Sequence, residues 1–246
     1  MKISIITCVH NRAATIADAI DSVCAQTYAD FEHIIVDAQS NDGTLDIIRA
    51  RQGHRMLVNS GPDGGIYDAL NKGVAQAAGD VIGLVHSDDW LADDRVLERV
   101  AAAFEGGADV AYGDLDYVSA LNPGAIIRSW KAGAFHPNRL RWGWMPPHPA
   151  LFIRRDLFAE IGLYDTRYRI AADYDLILRL FSKSGLRVAY IPEVLVKMRA
   201  GGASNGSLKQ VFRKSAEDYR VLRSNNVGGF ATLAAKNLRK IGQFRR

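Results

Sequence analysis

Short apolar runs alternate with helical periodicities along the first half of the chain. Ile3 to Val9 is a β-branched run of strand length, and Ile16, Ile20 and Val23 then recur at the spacing of one helix face. Phe31 to Val36, closing on Asp37, makes a second strand. Leu45, Ile47 and Ile48 mark a second helix, and Met56-Leu57-Val58 a third strand. Such alternation predicts parallel βαβ units. From Asp80 the apolar run Val81-Ile82-Gly83-Leu84-Val85 lacks the alternation of a half-exposed strand, so it predicts a strand covered on both faces. It ends abruptly in Ser87-Asp88-Asp89.

The second half is less regular. Val96, Leu97 and Val100 predict a helix, and Asp109 to Val118 a strand. Residues 119–149 hold Trp130, Trp142, Trp144 and the run Met145-Pro146-Pro147-His148-Pro149, whose prolines exclude regular helix or central strand. Ala150 to Ile153 reads as a short strand and Arg154 to Ile161 as a helix. Leu176, Ile177 and Leu180 then share a helix face, which puts Asp173 in that helix's first turn, where the dipole favours an acid. Leu208, Val211, Phe212, Tyr219 and Leu222 define a long amphipathic helix. In the tail, Phe230, Leu233, Ala234, Leu238, Ile241 and Phe244 fall on one face, with Lys236, Arg239, Lys240 and Arg246 largely opposite. That pattern suits a helix resting on anionic lipid; a helix docked on a partner protein is the alternative.

Composition narrows the class. Of 246 residues 48% are hydrophobic and 24% charged, the balance of a soluble globular chain with a real core. Cys8 and Cys24 fall in strand and helix, which supports neither a disulfide framework nor a cysteine zinc site and points to a reducing, cytoplasmic compartment. A strand beginning by Ile3 argues against a leader peptide, and no apolar run reaches the ~18 residues a membrane span needs. From Phe230 onward there are five basic residues and no acid, so the net charge of +4 leaves −1 for everything before. The body therefore lacks the basic groove a nucleic acid would need, and no nucleic-acid partner is expected. Nor is there a Gly-x-Gly-x-x-Gly after the first strand, or a P-loop.

In parallel sheets ligands collect outside the carboxyl ends of the strands, so Asp88 and Asp89 are expected at a crevice rim. Neighbours in extended chain point to opposite sides, which gives the two carboxylates different jobs. Hard cations bind through one or two carboxylates plus substrate phosphates; the plainer reading is a turn and a helix cap. The cluster Gly61-Pro62-Asp63-Gly64-Gly65 lets backbone approach a ligand, or is simply a turn. Lys72 either faces a diphosphate or is solvated. Trp142 and Trp144 either stack on a sugar or fill the core.

Several of these stretches together resemble glycosyltransferase family 2, of GT-A fold. They are His10-Asn11-Arg12, Val36-Asp37-Ala38-Gln39-Ser40-Asn41-Asp42-Gly43-Thr44, Pro62 to Gly73, Gly79-Asp80, Ser87-Asp88-Asp89 and Ala172-Asp173-Tyr174-Asp175-Leu176 with Arg179, in the family's order across roughly residues 2–200. The resemblance implies an α/β fold with a mixed, mainly parallel Rossmann-like sheet flanked by helices. Residues 1–200 would be the transferase domain, with a nucleotide-sugar half over 1–118 and an acceptor half over 119–200. Residues 201–246 would form a helical extension with a basic amphipathic tail.

By the same resemblance the chain is an inverting transferase using a nucleotide-diphosphate sugar and a divalent cation, Mn²⁺ or Mg²⁺. Asp173 would be the base; His10, Arg12, Asp37, Lys72 and Asp88 would hold the donor; Asp88 and Asp89 would hold the metal; Trp144 and His148 would meet the acceptor. The acceptor would be a glycan or lipid-linked glycan at the inner face of the cell membrane, met through the basic tail. Ala38, Leu70 and His86 depart from the family's commonest residues, which bears on the base and on the grip on phosphate. The alternative is a module of the same fold that binds a nucleotide sugar or glycan without turning it over.

Overall fold

The computed structural model describes residues 1–200, 208–239 and 243. The opening half follows the predicted alternation: β1 (Ile3–Val9), α1 (Ile16–Cys24), β2 (Phe31–Asp37), α2 (Thr44–Arg51), β3 (Met56–Ser60), α3 (Ile66–Gln76) and β4 (Val81–Leu84). After these come β5 (Trp90–Leu91), α4 (Val96–Glu105), β6 (Val110–Val118), β7 (Ile126–Trp130), β8 (Leu151–Arg154), α5 (Leu157–Ile161), α6 (Ala172–Phe181), β9 (Val188–Arg199), α7 (Leu208–Ser224) and α8 (Phe230–Arg239). Two 3-10 turns, Pro137–Trp142 and His148–Ala150, lie between β7 and β8.

One curled sheet runs β3-β2-β1-β4-β8-β6-β9-β5, with β7 added on β6. β3, β2, β1 and β4 are mutually parallel, whereas β8 is antiparallel to both β4 and β6. The chain leaves β1 first toward β2 and later returns beside it as β4. This reversal is the topological switch point at which open α/β sheets hold ligands. It opens a crevice between the loop after β1 and the loop after β4.

Both faces of the sheet are covered, which is why β4 reads as an unbroken apolar run and β1 is broken only by Ser4 and Thr7. Ile3, Ile5 and Val9 pack with α1, α2 and α4 on one side. Ile6 and Cys8 pack with α3, α5, α6 and part of α7 on the other. Close approach of α3 to β1 depends on Gly73, where a Cβ would lie 2.5 Å from Ile6 Cγ2.

The structure corrects the expected layout in three places. Residues 119–149 are not wholly irregular, because β7 forms a hairpin edge on β6. β9 went unforeseen: Pro192 and Glu193 interrupt its pattern, and the register with β6 skips from Ile191 to Val194 across them. The helix expected from Arg154 starts at Leu157, since β8 runs through Arg154. No described helix is long and apolar enough to cross a membrane.

The tail also differs. Lys236, expected on a lipid-facing basic side, is 6% exposed. Its Nζ lies 2.8 Å from Asp218 of α7 and 3.3 Å from the centre of the Tyr174 ring. Lys240, Ile241, Phe244 and Arg246 lie outside the described residues.

Candidate active site

The loops after β1 and β2 are built as one unit. Asn11 and Gln39 both take left-handed backbone conformations, with φ of 51° and 55°. Asn11 N–H donates to Ser40 Oγ at 2.9 Å, and Asn41 N–H donates to Asn11 Oδ1 at 2.9 Å. Arg12 N–H bonds Thr44 Oγ1 at 2.8 Å. Two non-glycine residues in the left-handed region cost free energy, so these side-chain bonds hold a pocket wall in a fixed shape. His10 is exposed and its Nδ1–H donates to the Ala38 carbonyl at 2.8 Å, since a carbonyl can only accept. Arg12 is partly exposed at the start of α1. Asp37 is fully buried; its carboxylate accepts from Ser60 Oγ at 2.6 Å and from Ser40 N–H at 3.1 Å. In this conformation Asp37 braces the pocket from beneath.

The glycine-rich stretch opens α3. Gly65, at φ 115°, makes the turn into the helix, where a side chain would be strained. Lys72 is spoken for locally: its ammonium bonds Pro62 O and the Asp68 carboxylate, each at 2.8 Å. Two neighbouring positions carry a role that sequence reasoning missed. Tyr67 and Asn71 lie four apart on one helix face. Asn71 brackets the backbone of Tyr164 with two 2.9 Å bonds, while Tyr67 donates to Ile170 O at 2.7 Å and lies 3.3 Å from Asp173 Oδ1. Thus α3 of the first half fixes the segment that delivers Asp173 from the second. The i, i+4 spacing of a Tyr and an Asn on an otherwise apolar face was the available signal.

Beyond β4 the two carboxylates separate as extended geometry requires. Asp88 is half-buried at the rim, and Asp89 is 1% exposed. Asp89 Oδ1 accepts from Arg199 N–H at 3.2 Å, and its Oδ2 is buried with no hydrogen-bond partner. Burial, and then the charge of Asp88, hold the Asp89 carboxyl well above the usual carboxylate range. Arg199 clasps the turn from behind: its Nε donates to Asp88 O at 3.1 Å, its guanidinium sits 4.8 Å from the Trp90 ring centre, and it pairs with Asp18.

Asp173 lies in the first turn of α6, partly exposed, with Asp175 two positions on. Asp175 points elsewhere: it is 5% exposed, 2.8 Å from Arg179 Nε and 2.8 Å from Asn225 Nδ2. Arg179 in turn holds the carbonyls of Ile161, Gly162 and Leu163. The two acids are therefore divided between site and scaffold.

Between Asp88 and Asp173 the fold packs His86 and His148, their ring centres 6.2 Å apart. His148 Nε2 lies 2.9 Å from the Tyr164 hydroxyl, and Tyr164 stacks on Tyr67 at 5.9 Å. Burial pushes His148 down to about 4 and His86 below its ordinary value; the negative charges of Asp88 and Asp173 at His86, and of Asp173 at His148, oppose this. Both imidazoles are thus neutral at pH 7. Burial, together with the charge of Asp173, raises the Tyr67 phenol, which stays a hydroxyl donor.

Trp144 is 3% exposed, packed on Tyr112, Phe135 and Phe181, with its indole N–H bonded to Ala132 O at 2.8 Å. One edge borders a groove of about 320 Å³ shared with Trp130, Lys131, Met145, Lys236 and Arg239. Trp142, by contrast, is 66% exposed.

A divalent cation is tested here by the donors present. Among the described residues no three His, Cys, Asp or Glu side chains form a group able to hold a metal alone. A cation that arrives with a diphosphate needs only one or two carboxylates. The orphaned buried Oδ2 of Asp89, beside Asp88, fits that requirement, since a buried ionised oxygen without a partner is costly.

The model of "Glycosyl transferase family 2" matches residues 4–162, which include both carboxylates after β4. A "PGL/p-HBAD biosynthesis glycosyltransferase" from Mycobacterium bovis is 38% identical over 222 residues, covering 86% of this chain and 82% of that one. Among solved structures, S. aureus TarS 1-349 in complex with UDP-GlcNAc superposes with a TM-score of 0.68 at 19% identity, covering 92% of this chain and 66% of that one. The chain spans 39% of a longer TarS chain. The mannosyltransferase PcManGT from Pyrobaculum calidifontis, in complex with GDP-Man and Mn²⁺, gives a TM-score of 0.65 at 19% identity over 95% of this chain and 68% of that one. With the family's model spanning the crevice and a relative this similar over most of both chains, the protein belongs to glycosyltransferase family 2 and is a glycosyltransferase.

Proposed function

We propose that the chain transfers a sugar from a nucleotide-diphosphate donor to a hydroxyl of a glycan or lipid-linked glycan, with inversion at the anomeric carbon. The observation that carries this reading is that Asp88 and Asp173 both act on the His86–His148 pair at the switch point of the sheet, with Asp89 beside Asp88 on the same turn. The nucleotide sugars named with the two structural neighbours support the donor class.

In this reading the interlocked loops carrying His10, Arg12 and Asp37 receive the nucleoside. Asp88, with Lys72 after release from Asp68, meets the diphosphate. A divalent cation, Mn²⁺ or Mg²⁺, held at Asp88 and Asp89 would supply positive charge against the departing diphosphate. Asp173 accepts the acceptor's hydroxyl proton as that oxygen attacks from the opposite face. A carboxylate of ordinary basicity suffices, because the hydroxyl becomes acidic only as the new bond forms, and such assistance is worth ~10²–10⁴-fold. Tyr67 holds Asp173 in place by a hydroxyl that cannot compete for its proton. His148 lies on the side of Asp173, and a neutral imidazole there can accept or donate a hydrogen bond without repelling either substrate, whereas Trp144 belongs to the core.

Calorimetry with UDP-, GDP- and dTDP-sugars, with and without Mn²⁺, tests the reading. Metal-dependent binding of one donor, lost in Asp89→Ala, is the expected result. If a donor bound tightly but purified protein never turned it over with any hydroxyl acceptor or water, the protein would be a binding module instead.

A further inference from the structure

The C-terminal hairpin is amphipathic in the reverse sense to an ordinary docked helix. Along α8, beside Leu233, which packs partly buried against the core, the residues turned furthest inward are polar: Thr232 and Lys236 are buried, and Arg239 Nε donates to Trp142 O at 2.9 Å. The apolar stripe at i, i+4 and i+8 faces out, with Phe230 75% and Leu238 65% exposed on either side of exposed Ala234. On α7 the stripe continues through Tyr219, whose ring lies 4.5 Å from that of Phe230, to Phe212, which is 75% exposed. Large aromatics left outward in this way mark an interaction surface.

Charge identifies the occupant. Glu217 and Asp218 are the only acids from residue 208 to the end of the chain, and each is only 2% exposed. Glu217 accepts from the N–H groups of Ile170 and Ala171, and Asp218 pairs with Lys236. Both acids are thus turned inward, while Arg213, Arg220 and Arg223 remain exposed beside the aromatic stripe. Apolar side chains flanked by arginines with no exposed acid fit the headgroup boundary of an anionic bilayer.

We infer that the outer face of the α7–α8 hairpin, centred on Phe212, Tyr219, Phe230 and Leu238, is a docking surface for an anionic lipid bilayer. It deepens the functional reading by naming the surface that brings the enzyme to a lipid-linked acceptor, and rests on that reading for the acceptor alone. The lipid contact differs from the one the sequence pattern suggests: Lys236 is withdrawn from it, and the arginines of α7 take its place.

Vesicle co-sedimentation of the full chain tests this without any donor. Vesicles of phosphatidylcholine with phosphatidylglycerol should bind the protein, and pure phosphatidylcholine should bind it far less. Phe230→Glu with Leu238→Glu should abolish the association. Arg223→Ala should weaken it by about fivefold. Circular dichroism and donor calorimetry on the same variants should match the parent, because Phe230, Leu238 and Arg223 are exposed. Absence of binding to anionic vesicles, or binding that both variants retain, would overturn the inference. So would a dimer in light scattering that Phe230→Glu with Leu238→Glu dissolves, because the stripe would then belong to a second copy. Loss of donor binding in the parent would count against the transferase reading alone.

Discussion

Asp173→Asn separates the roles of the site's acids at the scale of a single side chain. The amide keeps the shape but cannot take a proton, so turnover should fall by ~10²–10⁴-fold while donor affinity by calorimetry stays within about twofold. Equal turnover would remove Asp173 from the reaction. His33 makes a different prediction. It is 1% exposed within β2, with Nε2 2.9 Å from Thr7 Oγ1 and Nδ1 unpartnered. Burial pushes it down to about 4, against a value near 6.5 in the unfolded chain. Between those values the unfolded state takes up a proton that the native state refuses. The stability is therefore intact above pH 6.5 and is lost as pH falls toward 4, by about 1–3 kcal/mol for this residue. Melting curves from pH 7 to 4 should show the loss, and His33→Gln should flatten it. His148, also held at about 4, adds a slope in the same direction.

At the scale of elements, α3 is the connector between halves. Gly73→Ala would ordinarily favour a helix by about 1 kcal/mol. Here the added methyl would sit 2.5 Å from Ile6 Cγ2, a stiff β-branched side chain 1% exposed in the core. Overpacking of this kind costs about 1–3 kcal/mol and outweighs the propensity gain. Urea titration should show net destabilisation, and kcat should fall as well, since the same helix carries Tyr67 and Asn71 to the Asp173 segment. A Gly73→Ala protein as stable and as active as its parent would refute the connector role. Tyr67→Phe, which removes the hydroxyl bonded to Ile170 O and 3.3 Å from Asp173 Oδ1, should leave the fold intact and lower kcat more than donor affinity.

For the whole molecule, the question is what holds the C-terminal hairpin to the catalytic body. Lys236 sits over Tyr174, the residue following Asp173, and its charge is met by Asp218, both side chains being buried. Removing one partner of such a pair strands the other's charge, a cost of about 3–5 kcal/mol. Lys236→Ala should lower the urea midpoint accordingly, and Lys236→Met with Asp218→Asn should recover part of the loss. Backbone fit enforces the same contact. Gly143, at φ 69°, approaches the Lys236 backbone so closely that a Cβ would lie 2.4 Å from its N. Loosening this hairpin should therefore perturb turnover as well as stability.

Local rules reached far in the first half. Each βαβ unit buries its own periodic face, so the strands from Ile3 to Leu84 and the first two helices between them were legible from spacing alone. Two adjacent carboxylates at the end of a buried strand also marked where the chain leaves the sheet, but spacing alone left open whether they meet a ligand or only make a turn and cap. What the sequence could not decide depends on partners distant along the chain. β9 pairs with β6 across a bulge at Pro192, so its pattern makes sense only beside its neighbour. Trp144 reads equally as sugar platform or core filler until Tyr112, Phe135 and Phe181 close around it. Lys236 looks lipid-facing until the buried carboxylate of Asp218, on another helix, gives its charge a place inside. Periodicity specifies which residues share a face; only tertiary packing decides what that face meets, because burial of a charge or an aromatic ring depends on the group opposite it.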